Sequence, residues 1–247
     1  MNMGCQKELE EIKGYVKEAK RIAFLGGAGV STASGISDFR SPKGLYNVQS
    51  KYGHSYETML SHSFFVSHPE EFYSFYWESM VNEAAKPNSA HIALASFEKR
   101  HPHKLTVITQ NIDGLHQKAG SKAVYELHGS VADYTCLDCG KKYRLDEIPH
   151  HGVPHCSCGG LLKPDVVLYE EPLDEDVLLS SINAMKMANL LLCAGTSLRV
   201  EPAASLPSFF SFGKSVLINA EPTPYDERFD YVLGMDVGEA LETILGD

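Results

Sequence analysis

The sequence has no apolar run long enough to cross a bilayer: the longest, Leu190–Ala194, spans five residues, against the roughly 20 that a membrane helix requires. It is short of positive charge, with 22 Lys and Arg against 32 Asp and Glu and a net charge of −10. Such a balance repels a phosphate backbone unless the cations cluster, so nucleic acid is not the expected partner. Cysteine is scarce as well. Six in 247 residues are too few to staple a secreted chain of this length, and four of them fall between Cys136 and Cys158, a clustering that suggests metal before disulfide. The opening residues, Met1 to Lys7, lead into no apolar signal core, and a cytoplasmic protein is expected. What remains, 43% hydrophobic and 22% charged, is ordinary globular composition, enough for one large domain or two modest ones.

Short runs rich in Val, Ile and Leu recur at 21–25, 105–109, 123–127, 166–168, 190–194 and 215–219. They alternate little between apolar and polar, as strands buried on both faces of a parallel sheet do. Helix-like segments lie between several of them, at 8–20, 89–99, 174–187 and 237–244. A further one is announced by Ser67-His68-Pro69-Glu70, read as a capping box with Pro in the first turn. Strand and helix in alternation predict an α/β fold with a doubly wound, Rossmann-like parallel sheet. Two regions break the rhythm: 41–82, aromatic and without a good strand, and 131–164, which holds the four cysteines. The expected division is a large domain of 1–40, 83–130 and 165–247, with the two insertions building a smaller one.

The first strand runs into Gly26-Gly27-Ala28-Gly29-Val30-Ser31. Glycines at a strand end let backbone N–H groups approach a pyrophosphate. The dehydrogenase fingerprint fails, because Thr32 stands where the third glycine belongs, and no Lys follows as in a Walker loop. The continuation Ser37-Asp38-Phe39-Arg40 supplies an acid, an aromatic ring and a cation that could bind hydroxyls, cover a heterocycle and pair with phosphate. Further polar clusters follow later strands: Thr109-Gln110-Asn111-Ile112-Asp113, Glu126-Leu127-His128-Gly129, Gly195-Thr196-Ser197 and Asn219-Ala220-Glu221. The carboxyl ends of parallel strands are where open α/β sheets place ligands. Taken singly, Asn111 or Asp113 could be helix caps and a histidine could be packing.

In this order and over nearly the whole chain, these motifs resemble the sirtuins, NAD-dependent protein lysine deacylases, in their bacterial form. One departure is Ser37, where the family usually has proline. The resemblance implies that Gly27, Ala28, Gly29, Ser31, Asp38, Phe39, Arg40, Gln110, Asn111, Ile112, Asp113, Gly195, Thr196, Ser197, Asn219, Glu221 and Asp236 contact NAD. Ile112 and Asp113 would line the nicotinamide pocket. His128, a good general base near neutral pH, would take a proton from a ribose hydroxyl that then accepts the acyl group, with Asn111 beside it in the chemistry. Val166, Val167, Leu168 and Tyr169 would offer a backbone edge to an acylated-lysine protein substrate. Where the family commonly has Phe-Gly-Glu, this chain has Tyr169-Glu170-Glu171, an acidic rim suited to Lys-rich substrates.

Cys136 and Cys139 form a standard zinc knuckle, and Cys156 and Cys158 a shortened one, with sixteen residues between the pairs. Four thiolates on one structural Zn2+ is the favoured reading; His150, His151 or His155 replacing a thiolate, or a metal-free remnant, are the alternatives. A hydride-transferring dehydrogenase would share the sheet but lacks its fingerprint here, and a zinc-ribbon binding module would leave His128 idle. ADP-ribosyl transfer is a further possible activity. Sirtuins that favour acidic acyl groups carry Tyr-x-x-Arg in the helical insertion. Here Tyr73 is followed by Tyr76, which predicts a neutral acyl pocket.

Overall fold

The structure, a computed structural model, describes residues 3–36 and 51–246. Ser37, Asp38, Phe39 and Arg40 therefore lie outside the described residues. Nine strands run in chain order among those described: β1 Ile22–Gly26, β2 Leu105–Thr109, β3 Val124–Glu126, β4 Gly129–Cys136, β5 Lys142–Arg144, β6 Leu162–Val166, β7 Leu190–Ala194, β8 Lys214–Ile218 and β9 Tyr231–Leu233. Six of them make one parallel sheet, ordered β3-β2-β1-β7-β8-β9, with Leu25 registered between Ile108 and Cys193. This is the doubly wound order, in which the winding direction reverses between the first strand and its second neighbour.

Every residue of β1 and of β7 is buried, because successive side chains point to opposite faces and both faces are covered. Phe24, Val107 and Leu192 pack on one side with Ile12 of α1 Met3–Glu18, Leu94 of Ser89–Arg100 and Leu241 of Val237–Leu245. Leu25, Ile108 and Cys193 pack on the other with Met185 of Glu175–Met187 and with Leu206.

The remaining strands form a separate antiparallel sheet, β5-β4-β6. Helices Tyr56–Met59, His62–Ser67 and Pro69–Ser79 pack on it around Phe65, Phe72, Tyr73, Phe75, Tyr76 and Tyr134. Trp77 stacks between Tyr134 and His150, and its indole N–H donates to the Gly152 oxygen.

Three sequence expectations change. The run 166–168 belongs to no parallel strand: Val166 ends β6, whose Leu162, Pro164 and Val166 are buried while Lys163 and Asp165 are half-buried, the alternation of a one-faced antiparallel strand. Strand β9 was not anticipated, being three residues long at the sheet edge. The capping box at 67–70 does not form. Pro69 does open its helix, but the preceding His68 supplies no side-chain cap, and the Ser67 hydroxyl turns back to the Ser63 oxygen.

Candidate active site

At the reversal point the loops after β1 and β7 touch backbone to backbone. The Gly27 N–H donates to the Ala194 oxygen and the Gly29 N–H to the Gly195 oxygen, at 3.1 and 2.8 Å. A Cβ on Gly29 would come within 2.7 Å of the Gly195 Cα, and Gly195 itself has φ +58°, so larger side chains are excluded where the loops meet. Asn219, after β8, holds the neighbouring turn from both sides: its Oδ1 accepts the Thr196 N–H and its Nδ2 donates to the Thr196 oxygen. Gln110 Nε2 donates to the Thr196 hydroxyl at 2.9 Å. Four strand ends are thereby tied into one floor.

Ser31 is the centre of a second network. Its hydroxyl donates to Asp113 Oδ2 at 2.7 Å and accepts from Asn111 Nδ2 at 3.0 Å. Behind it lies His91, fully buried. The Asn88 N–H donates to His91 Nδ1, so the neutral ring carries its proton on Nε2, which faces the Ser31 hydroxyl at 3.5 Å. Burial lowers the affinity of His91 for a second proton, against the attraction of Asp113. Asp113 also accepts the Leu115 N–H through Oδ1, so it engages the first N–H of the helix Leu115–Ala119 and holds Ser31 at once. Asn88 and His91 were not singled out from sequence: they cap and open the helix Ser89–Arg100 between the first two strand-end motifs, and only the tertiary fold brings them beneath the loop.

His128 occupies the turn between β3 and β4. Its Nδ1 lies 2.9 Å from the Gln110 main-chain oxygen. A carbonyl only accepts, so Nδ1 bears the proton and Nε2 of the neutral ring carries the lone pair. The ring is thus set to take up a proton at Nε2.

Across from it, the strip 166–169 is fastened on several sides. The Val167 N–H donates to the His128 oxygen, the Tyr169 N–H to the Leu60 oxygen, and the Tyr169 oxygen accepts the His62 N–H. Both backbone groups of Tyr169 are therefore already occupied by the helical insertion. The expected acidic rim is also internally engaged. Glu170 accepts from the N–H and the hydroxyl of Ser63, each at 2.9 Å. Glu171 accepts from the Leu168 N–H and Lys163 and contacts His62 Nδ1 at 2.8 Å. Burial opposes its charge, yet the Leu168 N–H, His62 and Lys163 together hold the Glu171 carboxyl below the ordinary value. Neither carboxylate stands as a bare charge awaiting a substrate lysine.

The four cysteine sulfurs all lie within 4.8 Å of one another. Three of the separations, Cys136 to Cys158, Cys139 to Cys156 and Cys139 to Cys158, are 3.6, 3.6 and 3.5 Å. Disulfide sulfurs sit at about 2.0 Å, whereas ligands about 2.3 Å from a tetrahedral zinc are separated by about 3.8 Å. The set fits one structural zinc. Of the alternative histidines, His155 faces the Gly159 oxygen and His150 contacts Glu83 and the Leu145 oxygen. The knuckle turns use Gly140 and Gly159 at φ +70° and +92°.

A single cleft of about 740 Å³ is lined by Gly27, Ala28, Gly29, Ser31, Gln110, Asn111, Ile112, Asp113, His128, Val166, Val167, Leu168, Tyr169, Gly195, Thr196, Ser197, Asn219, Glu221 and Asp236. Asp236 also caps Val237–Leu245 through the Glu239 N–H. Tyr73 and Tyr76 do not face this cleft. Both are fully buried in the aromatic core beside it, and Tyr56, Leu60, Met80, Ile112, Val166 and Leu168 supply the apolar wall.

Fold and site together define a Rossmann-like α/β protein with a ligand cleft at the sheet's reversal point and a four-cysteine module on its flank. The model of the Sir2 family matches residues 27–202, and the chain belongs to that family. It is 48% identical to an NAD-dependent protein deacetylase of Clostridium acetobutylicum over 96% of this chain and 98% of that protein. Among solved structures it resembles Sir2 with a p53 peptide and NAD+ (39% identity, TM-score 0.83, 99% and 98% of the two chains). It also resembles Sir2 bound to an acetylated peptide (38% identity, TM-score 0.82, 96% and 97%). No helix among the described residues is long and apolar enough to cross a membrane.

Proposed function

We propose that the chain is an NAD-dependent protein-lysine deacetylase, removing acyl groups from lysine side chains of protein substrates. The observation that carries this is the convergence of His128, the glycine loops and the strip 166–169 on one cleft. NAD, when bound, supplies the ribose that accepts the acyl group and nicotinamide as the leaving group. Gly27, Ala28, Gly29, Gly195, Thr196 and Ser197 offer close backbone approach for its phosphates. Asn219, Glu221 and Asp236 address the adenosine end, and Gln110 and Asn111 the ribose nearer nicotinamide. Ile112 and Asp113 line the carboxamide pocket, with Ser31 and His91 holding Asp113 in place. His128, its Nδ1–H tied to Gln110, takes the ribose hydroxyl proton at Nε2. The peptide lies along 166–169 with its acyl group toward the apolar wall. Asp38, Phe39 and Arg40 join the cofactor site by family resemblance.

In this reading 1–40, 83–130 and 165–247 form the NAD-binding domain, and 41–82 with 131–164 the smaller domain that shapes the peptide side. The five cysteines described form no disulfide with one another, which suits a reducing cytoplasmic setting. Incubation with NAD and an acetyl-lysine peptide is expected to yield nicotinamide and acetyl-ADP-ribose in equal amounts by mass spectrometry. Release of nicotinamide without acyl transfer would overturn the assignment.

A further inference from the structure

Glu170 has φ +77°, in the left-handed region that side chains other than glycine rarely enter. A glutamate that adopts this conformation must be held in it by its surroundings. The holding contacts are the two hydrogen bonds from Ser63, whose N–H and hydroxyl both donate to the Glu170 carboxylate. Immediately before Glu170, both backbone groups of Tyr169 bond to Leu60 and His62 of the same insertion. Immediately after it, Glu171 ties back to Lys163 and Leu168. Backbone conformation and carboxylate thus act at one residue to join the strip to the helix His62–Ser67.

We propose that Glu170 is a positioning residue for the peptide: the Glu170–Ser63 clasp fixes where 166–169 stands against the helical insertion, and so sets the width of the groove that admits the acyl-lysine strand. This rests on the deacetylase reading above. The clasp replaces glycine's conformational freedom with a tether, and each part has its own consequence. Removing the carboxylate while keeping a Cβ leaves a residue with no reason to remain left-handed, so the strip moves. Installing glycine keeps the conformation accessible but loses the tether, so the strip loosens.

Four variants separate these effects: Glu170→Ala, Glu170→Gly, Glu170→Gln and Ser63→Ala. Peptide KM is expected to rise about ten-fold or more in Glu170→Ala, the lower end of the effect of losing hydrogen bonds to a charged acceptor. The rise is smaller in Glu170→Gly and Ser63→Ala. In Glu170→Gln, whose side-chain oxygen still accepts from Ser63, KM returns close to that of the unaltered protein. The KM for NAD and kcat should stay nearly constant throughout. Amide hydrogen exchange at Tyr169 and His62 should quicken in the same order as peptide KM rises, whether or not acyl transfer is assayed. Unchanged peptide KM and exchange in Glu170→Ala would overturn the proposal. Glycine behaving like the unaltered protein would overturn the tether. Failure of the deacetylase reading is distinct, since it would show as no acyl transfer by the unaltered protein.

Discussion

A Cβ placed on Gly129 would lie 1.9 Å from the Asp165 main-chain oxygen, and Gly129 has φ +73°. The residue after His128 is therefore glycine for two reasons at once, backbone handedness and the close passage of β6. Gly129→Ala is expected to cost about 2 kcal/mol or more and to displace the His128 ring. A lowered melting temperature together with lost deacetylation would be the measured result; a fully active, equally stable variant would refute this account of the dipeptide.

His128→Ala removes the proton acceptor but leaves the glycine loops and the Gln110–Thr196 contact. Turnover should fall by at least about 100-fold, the usual scale for a general base, while calorimetric NAD affinity changes little. Turnover equal to that of the unaltered protein would remove His128 from the mechanism.

Burial pushes the Glu126 carboxyl up to about 7, with Asp113 and Asp133 adding to the shift and the Gln117 contact opposing it. The folded chain therefore keeps a proton that the unfolded chain loses near 4.5. Stability from this group is present below that value and is lost as pH rises through about 7. Against Glu126→Gln, which cannot ionise, the unaltered protein should lose on the order of 3 kcal/mol across this window. Parallel melting curves of the two proteins at all pH values would contradict it.

Elemental analysis should find one zinc per chain. Chelation or Cys136→Ser should unfold the antiparallel sheet, because the binding free energy of such a site is folding free energy. A chain that melts identically with and without its metal would show that the thiol cluster carries no stabilising ion.

Among the described residues lining the cleft, Arg199 is the one guanidinium or ammonium group, and it belongs to the loop after β7. The apolar wall of Tyr56, Leu60, Met80, Ile112, Val166 and Leu168 offers a carboxylate no partner, and an unpaired buried charge costs several kcal/mol. Acetyl and propionyl peptides should be deacylated well ahead of succinyl ones. A succinyl preference in matched kinetics would require a cation at the acyl end.

The parallel sheet was legible because its central strands are buried on both faces and read as unbroken apolar runs, and because chemistry-bearing residues collect directly after them. His128, Asn111 and the glycine loops were visible on that account. What escaped depends on contacts across long sequence distances. Val166 reads as another apolar run until its pairing with Gly129 puts it in an antiparallel sheet. His91 is an unremarkable histidine until Asn88 and Ser31 fix its tautomer. The Tyr73 and Tyr76 pair matched a spacing, yet a helix can turn such a pair toward a core as readily as toward a cleft. The side-chain partners of Glu170 and Glu171 had no local signal, since Ser63 and His62 lie on helix His62–Ser67 and Lys163 on β6.

The sequence contains one tryptophan, and Trp77 sits in the aromatic stack of the small module, between Tyr134 and His150. Intrinsic fluorescence excited at the indole band therefore reports on that module alone, while the large sheet contributes no indole emission. The molecule carries a built-in optical probe that distinguishes disruption beside the cysteines from disruption of the nucleotide-binding sheet, without any label being attached.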